Sequence, residues 1–581
     1  MKLTTLNDVL LVAGSKGEAT VAMRQDAGGA WHSITSSELM GHVRGLAAWL
    51  RAQGVAKGDR VALIAENRWE WAVTDFATMA VGAVGVPLFP TLTADQTAAQ
   101  LRDSGAKICV VSTAELAKKV LGSREATGVK TVVVMEVKEP LAGVVMFADA
   151  ASTAPNADFD TLLKSVGPDD LATIIYTSGT TGDAKGVMLT HGNIASNLTM
   201  TTGLFNFSAN DSCVSFLPLS HVTARHIDYL FYALDVTVAY CGKVERLLPA
   251  FQAVKPTIFV AVPRLYERIR HSVEQKSAAS PVKKKILGWA IGVGRKSQKT
   301  LLAGKTPGSL SWKLANKLVY SKVKAAFGGR VGTFVSGGAP LGIDLANWFA
   351  DAGIPILEGY GLTETSPVIS VNLPGRHKIG TTGPTMKNIE CRIAEDGELE
   401  VRGPSIFKGY WQKPEATADA IDPEGWFHTG DVGNIDAEGF LTITDRKREL
   451  IKTTNGKFIA PQPIENRLKV SSLIGYAALQ GDGRKFISVL MTPNFATLEA
   501  QGIKGEREAL VKDATVLALY QAEIERVNAT LAPFEKIKKF RLLPVEWGID
   551  TGEVTPSMKL KRRIVAQKHA SDIASMYGGE D

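Results

Sequence analysis

Between positions 177 and 185 the chain packs four hydroxyl side chains, two glycines and a lysine into one short stretch, Thr177-Ser178-Gly179-Thr180-Thr181-Gly182-Asp183-Ala184-Lys185. Glycine lets backbone N–H groups turn toward an anion, the hydroxyls donate further hydrogen bonds, and Lys185 adds a mobile positive charge. The stretch therefore reads as a cradle for a polyanion such as a triphosphate. The apolar Thr173-Ile174-Ile175-Tyr176 ahead of it reads as a buried strand, which puts the cradle at a strand end. Its spacing is not that of a Walker loop. The pattern GxxxxGK[ST] is absent, and Gly304-Lys305-Thr306 has Lys299 where the first glycine would stand. Gly292-Val293-Gly294 lacks the third glycine and the preceding strand of a dinucleotide fingerprint. A zinc-hydrolase helix and a GxSxG nucleophile elbow are also missing, which removes most support from hydrolase readings.

Three more segments carry the polar groups of a nucleotide site. Ser336-Gly337-Gly338-Ala339-Pro340 ends the apolar run Val331-Gly332-Thr333-Phe334-Val335 with residues small enough for a flat base to lie against the backbone. Glu358-Gly359-Tyr360-Gly361-Leu362-Thr363-Glu364-Thr365 offers the ring of Tyr360 for stacking and the carboxylate of Glu364 for Mg²⁺. In Gly425-Trp426-Phe427-His428-Thr429-Gly430-Asp431, the lone acid Asp431 suits the two hydroxyls of a ribose diol. Singly, each segment is explained as well by a glycine turn, a core tyrosine or a turn aspartate. Their joint occurrence in this order is what argues for a nucleotide site.

Elements of a parallel α/β sheet must position these segments. Before residue 150 the chain alternates Val61–Ala65, a helical stretch from Trp69 to Val84, Val86–Phe89, a helix from Ala94, and Ile108–Val111, the pattern of βαβ units. Thr257–Val262 and Val331–Val335 repeat it, again running into Gly, Ser or Pro, where such sheets place ligands. From about residue 385 the texture changes to hairpins, with an Asp396-Gly397 turn between Cys391–Ala394 and Leu399–Val401. The charged Asp445-Arg446-Lys447-Arg448-Glu449 reads as a hinge, which gives a large domain over 1–444 and a smaller α+β one over 445–581.

With 581 residues, 45% hydrophobic and 22% charged, the composition is that of a globular protein and excludes disorder and low-complexity fibres. Four dispersed cysteines form neither a disulfide framework nor a metal knuckle, so a reducing, cytoplasmic setting is expected, without a signal peptide or membrane span. The net charge of +7 is uneven: segment 264–330 holds 16 Lys/Arg against the two acids Glu267 and Glu274. Few aromatics accompany these charges, and apolar pieces such as Ile286–Ile291 do. The segment therefore suits an anionic membrane surface better than nucleic acid, with a solvated helical insert as the equal alternative.

Across nearly its whole length the chain resembles the adenylate-forming acyl-CoA synthetases, and within them the long-chain fatty-acid CoA ligases. The resemblance runs through Tyr176–Gly186, Leu217-Pro218-Leu219-Ser220-His221-Val222, Val262-Pro263-Arg264, Gly359–Glu364, Gly425–Asp431, Asp445–Lys452 and Pro556-Ser557-Met558-Lys559-Leu560-Lys561-Arg562-Arg563; the basic insert also looks like that branch. Departures are Met558 where the family has glycine, Arg448 where a hinge Asp or Lys is common, and Thr223-Ala224-Arg225-His226 after Val222.

The resemblance implies ATP, Mg²⁺ and coenzyme A as cofactor and co-substrates and a fatty acid as substrate. Thr177 to Lys185 would hold the β- and γ-phosphates, with Mg²⁺ at Glu364 and Thr363 beside it. The base would lie between Gly337-Gly338-Ala339 and the segment Glu358-Gly359-Tyr360-Gly361, with Gly361 leaving room for a deep apolar tunnel. Asp431 and Arg446 would grip the ribose, His221 would stand beside the acyl carboxylate, and Lys559 would reach the α-phosphate. The small domain would then turn about Arg448 and bring the loop at Gly456 to line a pantetheine channel. A fatty acyl-AMP ligase, a medium-chain or aryl-acid ligase and a non-catalytic membrane adaptor remain as alternatives.

Overall fold

Parallel strands buried on both faces need helices to cover them, and the alternating runs of this chain supply both in two large sheets. The protein, seen here as a computed structural model, is described for all residues except 26–28, 156–157, 178–183, 279, 455–456, 549, 556–559 and 579–581.

The first sheet has eight strands in the order 368–371, 356–361, 333–336, 258–261, 212–215, 237–240, 20–25 and 31–35, parallel except at its two edges. The second runs 409–410, 185–190, 171–177, 84–88, 60–64, 108–111, 131–134 and 144–146. Its βαβ portion is parallel, while 171–177 and 185–190 pair antiparallel. The expected helix from Trp69 ends at Ala80, and Val84–Leu88 already forms the next strand. Among the described residues three cores fill the space between these sheets and helices: one joining both sheets, one under the basic insert, and one between the second sheet and the helices Ala94–Ser104 and Ala114–Leu121.

Local signals fix several boundaries. Thr35 and Glu38 form a capping box that starts the helix Ser36–Ala52, and Gly105, at φ 62°, ends the helix Ala94–Ser104. A five-stranded antiparallel sheet follows in the order 383–384, 440–446, 427–435, 398–402 and 390–393, matching the hairpins expected from about residue 385. The strands Ile474–Gln480, Ile487–Pro493 and Ile537–Leu542 form a three-stranded sheet with cores of its own, and Asp482-Gly483 lies in the first connection.

Segment 264–330 is mostly helical, with long helices at Pro263–Ala278 and Pro281–Leu302. Gly294 belongs to the second of these. A Cβ there would lie 1.6 Å from the carbonyl oxygen of Asp351, so the glycine lets that helix press against Ile343–Asp351. Among the described residues, no helix is long and apolar enough to cross a membrane.

Candidate functional site

Only the two ends of the expected polyanion cradle are among the described residues. Thr177 and Lys185 are paired residues of the antiparallel strands Leu171–Thr177 and Lys185–Thr190. Ser178, Gly179, Thr180, Thr181 and Gly182 lie outside the described residues. The Lys185 ammonium stands 4.9 Å from the ring centre of Tyr410. The Tyr410 hydroxyl in turn donates to Glu364 Oε1 at 2.9 Å. Backbone pairing explains the meeting. Gly409-Tyr410 adds to the edge of strand Lys185–Thr190, and Phe407 N donates to Glu364 O at 2.8 Å, which ties the hairpin to the first sheet. Tyr410 has no motif spacing that marks it in the sequence; its place depends on this pairing between distant segments.

Thr363 and Glu364 lie on a short 3-10 turn, Thr363–Thr365, after the strand Ile356–Gly361. Burial pushes the Glu364 carboxyl up, against its bond from Tyr410 and the nearby charge of Arg446. One such carboxylate, completed by phosphate oxygens and water, is the ligand set Mg²⁺ takes in nucleotide sites, so the residues fit that ion. Among the described residues no group of three or more metal-binding side chains competes for it.

Tyr360 and Asp431 meet across the cleft. The Tyr360 hydroxyl donates to Asp431 Oδ2 at 2.5 Å, and Arg446 Nε lies 3.1 Å from Asp431 Oδ1. Asp431 and Arg446 are direct partners of the strands Phe427–Ile435 and Phe440–Arg446, which places them on one face. Asp431 is buried, whereas the Arg446 side chain stays partly exposed. The preceding residue points the other way: Asp445 Oδ2 accepts from Gln462 N at 3.0 Å, at the start of the helix Pro461–Lys469. Burial raises the Asp445 carboxyl to about 6, partly offset by the backbone donors of Gln462 and Arg446.

Gly337, Gly338 and Ala339 leave the strand Thr333–Ser336 next to Gly359, since Ser336 pairs with Glu358 in register. Gly338 has φ +79°, a conformation glycine favours. Glu358 Oε2 accepts from Leu341 N at 3.2 Å, and burial raises its carboxyl to about 7 against that bond.

These glycines and Tyr360 also wall an apolar cavity of about 800 Å³ of empty space, counting its open mouth. The helix Val222–Ala233 forms one side of it, through Thr223, His226, Ile227, Leu230 and Phe231; Ile258, Val260 and Val335 line the sheet side. His221 caps this helix, its Nδ1 accepting from Thr223 N at 3.2 Å. His226 is buried in the wall with Nε2 3.2 Å from Thr201 Oγ1; burial lowers it to about 3, opposed by the Ser366 carbonyl. Gly361 lines the cavity for a reason other than an open tunnel. A Cβ there would stand 1.8 Å from the Pro367 carbonyl oxygen, so backbone approach demands the glycine.

The remaining expected residues belong to the C-terminal part. Gly456 and Lys559 lie outside the described residues. The flanks of the Lys559 segment are ordered by Lys561 N donating to Glu553 O at 2.7 Å and by a bridge between Val554 and Leu560. Arg562 anchors its base, 2.5 and 2.6 Å from the two oxygens of Glu465 and 2.9 Å from Glu449.

Comparison with known proteins places the chain among relatives. Residues 12–411 match the family described as AMP-binding enzyme, and residues 448–581 match the AMP-binding enzyme C-terminal domain. The chain is 37% identical over 571 residues to the long-chain-fatty-acid–CoA ligase FadD15 of Mycobacterium tuberculosis, covering 95% of this chain and 93% of that one. It is 30% identical over 606 residues to the long-chain-fatty-acid–CoA ligase ACSBG2 of Xenopus laevis, covering 96% and 81%. Among solved structures, the fold is similar to the A domain of a carboxylic acid reductase from Segniliparus rugosus in complex with AMP and a co-purified carboxylic acid. That match has a TM-score of 0.76 at 20% identity and covers 99% of this chain and 94% of the other.

Proposed function

Since this chain belongs to the family of AMP-binding enzymes, we propose that it activates a long-chain fatty acid with ATP to acyl-AMP. It then passes the acyl group to coenzyme A, releasing AMP and pyrophosphate. One observation carries this reading: the apolar cavity and the polar cleft share the wall Gly337, Gly338, Gly359 and Tyr360. A carboxylate at the mouth of the cavity therefore faces a nucleotide held by Tyr360, Asp431 and Arg446.

A carboxylate is a poor electrophile with oxide as its leaving group, and adenylation supplies a better one. The carboxylate oxygen attacks the α-phosphorus, the bond to pyrophosphate breaks, and the thiolate of coenzyme A later displaces AMP from the acyl carbon. Gly337 suits the base because the protein itself does not require glycine there; a Cβ would meet only the Gly359 carbonyl, at an ordinary 3.7 Å. Thr177 and Lys185 would bind the outer phosphates, and Glu364, joined to Lys185 through Tyr410, would hold Mg²⁺ with Thr363 beside it. When bound, that ion neutralises charge on the triphosphate. Asp431 would accept the ribose hydroxyls, His221 would orient the acyl carboxylate from the cavity mouth, and Lys559 would offset charge developing at the α-phosphate. We read residues 445–581 as a separate domain that turns about Arg448 between the two steps, exchanging Lys559 for the loop at Gly456. The sheet and cores of its own support this.

The same reading sets an anionic bilayer against segment 264–330. Lys283, Lys284 and Lys285 are exposed there, as are Val282, Trp289, Leu310 and Leu314, at 65%, 39%, 85% and 49%.

Coenzyme A-dependent AMP release, scanned over carboxylic acids, tests the function. Palmitate should outperform octanoate. Equal use of acetate or aromatic acids would overturn the substrate class, and AMP release or acyl-AMP without thioester would identify an acyl-AMP ligase instead.

A further inference from the structure

We propose that Phe205, Phe207 and Phe231 form the end wall that sets which acyl chain lengths this protein binds. The proposal rests on the reading of the apolar cavity as the acyl site. The direction of that cavity is given by one helix. Thr223, His226, Ile227, Leu230 and Phe231 recur at the spacing of a single helical face, so the cavity follows the helix Val222–Ala233 for two turns away from its cap at His221. At a rise of about 1.5 Å per residue, Thr223 to Phe231 covers about 12 Å.

The far end is aromatic. Phe205 and Phe207 stack in parallel with centroids 5.0 Å apart, and Phe207 meets Phe231 nearly edge-on at 6.0 Å. Phe231 is fixed in the core at 1% exposure, whereas Phe205 and Phe207 are half-buried on the connection between the helix His191–Thr201 and the strand Ser212–Ser215. That connection is anchored just beyond the rings: Ser208 N donates to Asp211 Oδ2 at 2.9 Å, and Thr257 Oγ1 donates to Asp211 Oδ1 at 2.7 Å.

An extended alkyl chain with bonds of about 1.5 Å advances about 1.25 Å per carbon. A chain starting at the mouth thus reaches the rings after about ten to twelve carbons. Shorter acids leave the cavity partly unfilled. Longer ones must displace Phe205 or Phe207, the two rings whose connection is not buried in the core. Each methylene that gains an apolar contact strengthens binding by up to about four-fold, and each one blocked by a ring gains nothing.

The test is direct binding of straight-chain acids from C8 to C20, measured by titration calorimetry on the wild-type chain and on Phe205→Ala and Phe207→Ala. A Phe207→Trp variant serves as the opposite change, and Phe231 is left intact because the core needs it. With the wall in place, each Ala variant should favour C18 over C12 at least ten-fold more than the wild type does, while Phe207→Trp shifts the preference toward shorter acids. Identical length profiles in wild type and both Ala variants, or no acid binding at all, would overturn the proposal. If the acids bind with a profile that moves as stated but support no AMP release, the wall stands and the function proposed above falls.

Discussion

Lys185 and Glu364 both contact a single phenol, that of Tyr410, so the cation proposed for the outer phosphates and the carboxylate proposed for a metal share one spacer. The reactive α-phosphate needs a charge that this fixed set does not bring, which is the part assigned to Lys559. An ammonium about 4 Å from the α-phosphate at an effective dielectric of about 20 is worth up to ~4 kcal/mol. Lys559→Ala should therefore slow adenylation about 10³-fold, read by ATP–pyrophosphate exchange, and leave transfer from supplied acyl-AMP to coenzyme A nearly unchanged. Asp431→Ala should slow both steps if, as proposed, it holds the ribose throughout. Equal slowing of both steps in Lys559→Ala, or an adenylation defect in Lys561→Ala instead, would refute the assignment. Asp431 could be picked out in the sequence as a lone acid behind an aromatic pair and a glycine, whereas Arg446, inside a run of charges, is singled out only by the family resemblance. Tyr410 could not, since its role depends on which strand it pairs with.

At the scale of elements, the helix that walls the cavity is held by charge as well as by packing. Arg225 pairs with Asp75, 150 residues away, and also donates to Tyr229 OH at 2.6 Å and Thr173 Oγ1 at 2.7 Å, with both charged groups almost fully buried. Removing one partner strands the other's charge in a medium that solvates it poorly. Arg225→Met should cost about 3–5 kcal/mol of stability, and Arg225→Met with Asp75→Leu should recover most of it. Urea unfolding of the three proteins checks this; a double variant as unstable as the single one would show that packing dominates. In the sequence Arg225 stands out only as a departure from the family motif, because a pair separated by 150 positions leaves no local pattern. The strands are more legible. Ile108–Val111 is a continuous apolar run and forms a strand over those residues, whereas nothing in the sequence marks the end of the helix from Trp69 at Ala80, because the apolar character continues into the next strand.

For the molecule as a whole, the positive charge of segment 264–330 is accompanied by exposed apolar side chains such as Val282 and Trp289; an anionic bilayer would attract the charge and salt would weaken that attraction. Co-sedimentation with anionic liposomes should be clear at low salt, fall as salt rises, and drop when Lys283, Lys284 and Lys285 become Gln. No binding at low salt, or binding indifferent to those substitutions, would remove the membrane from the reading. The strand Phe440–Arg446 joins the catalytic body to the C-terminal part, and it ends with Arg446 turned to Asp431 and Asp445 turned to the helix at Gln462. Because neighbouring strand residues face opposite sides, a one-residue insertion or deletion in this strand would exchange the two. The Asp431 side would receive a second acid and the helix start a cation. Drift in length is therefore barred within these seven residues, while the turn at Asp436–Gly439 can change as long as the register beyond it is restored.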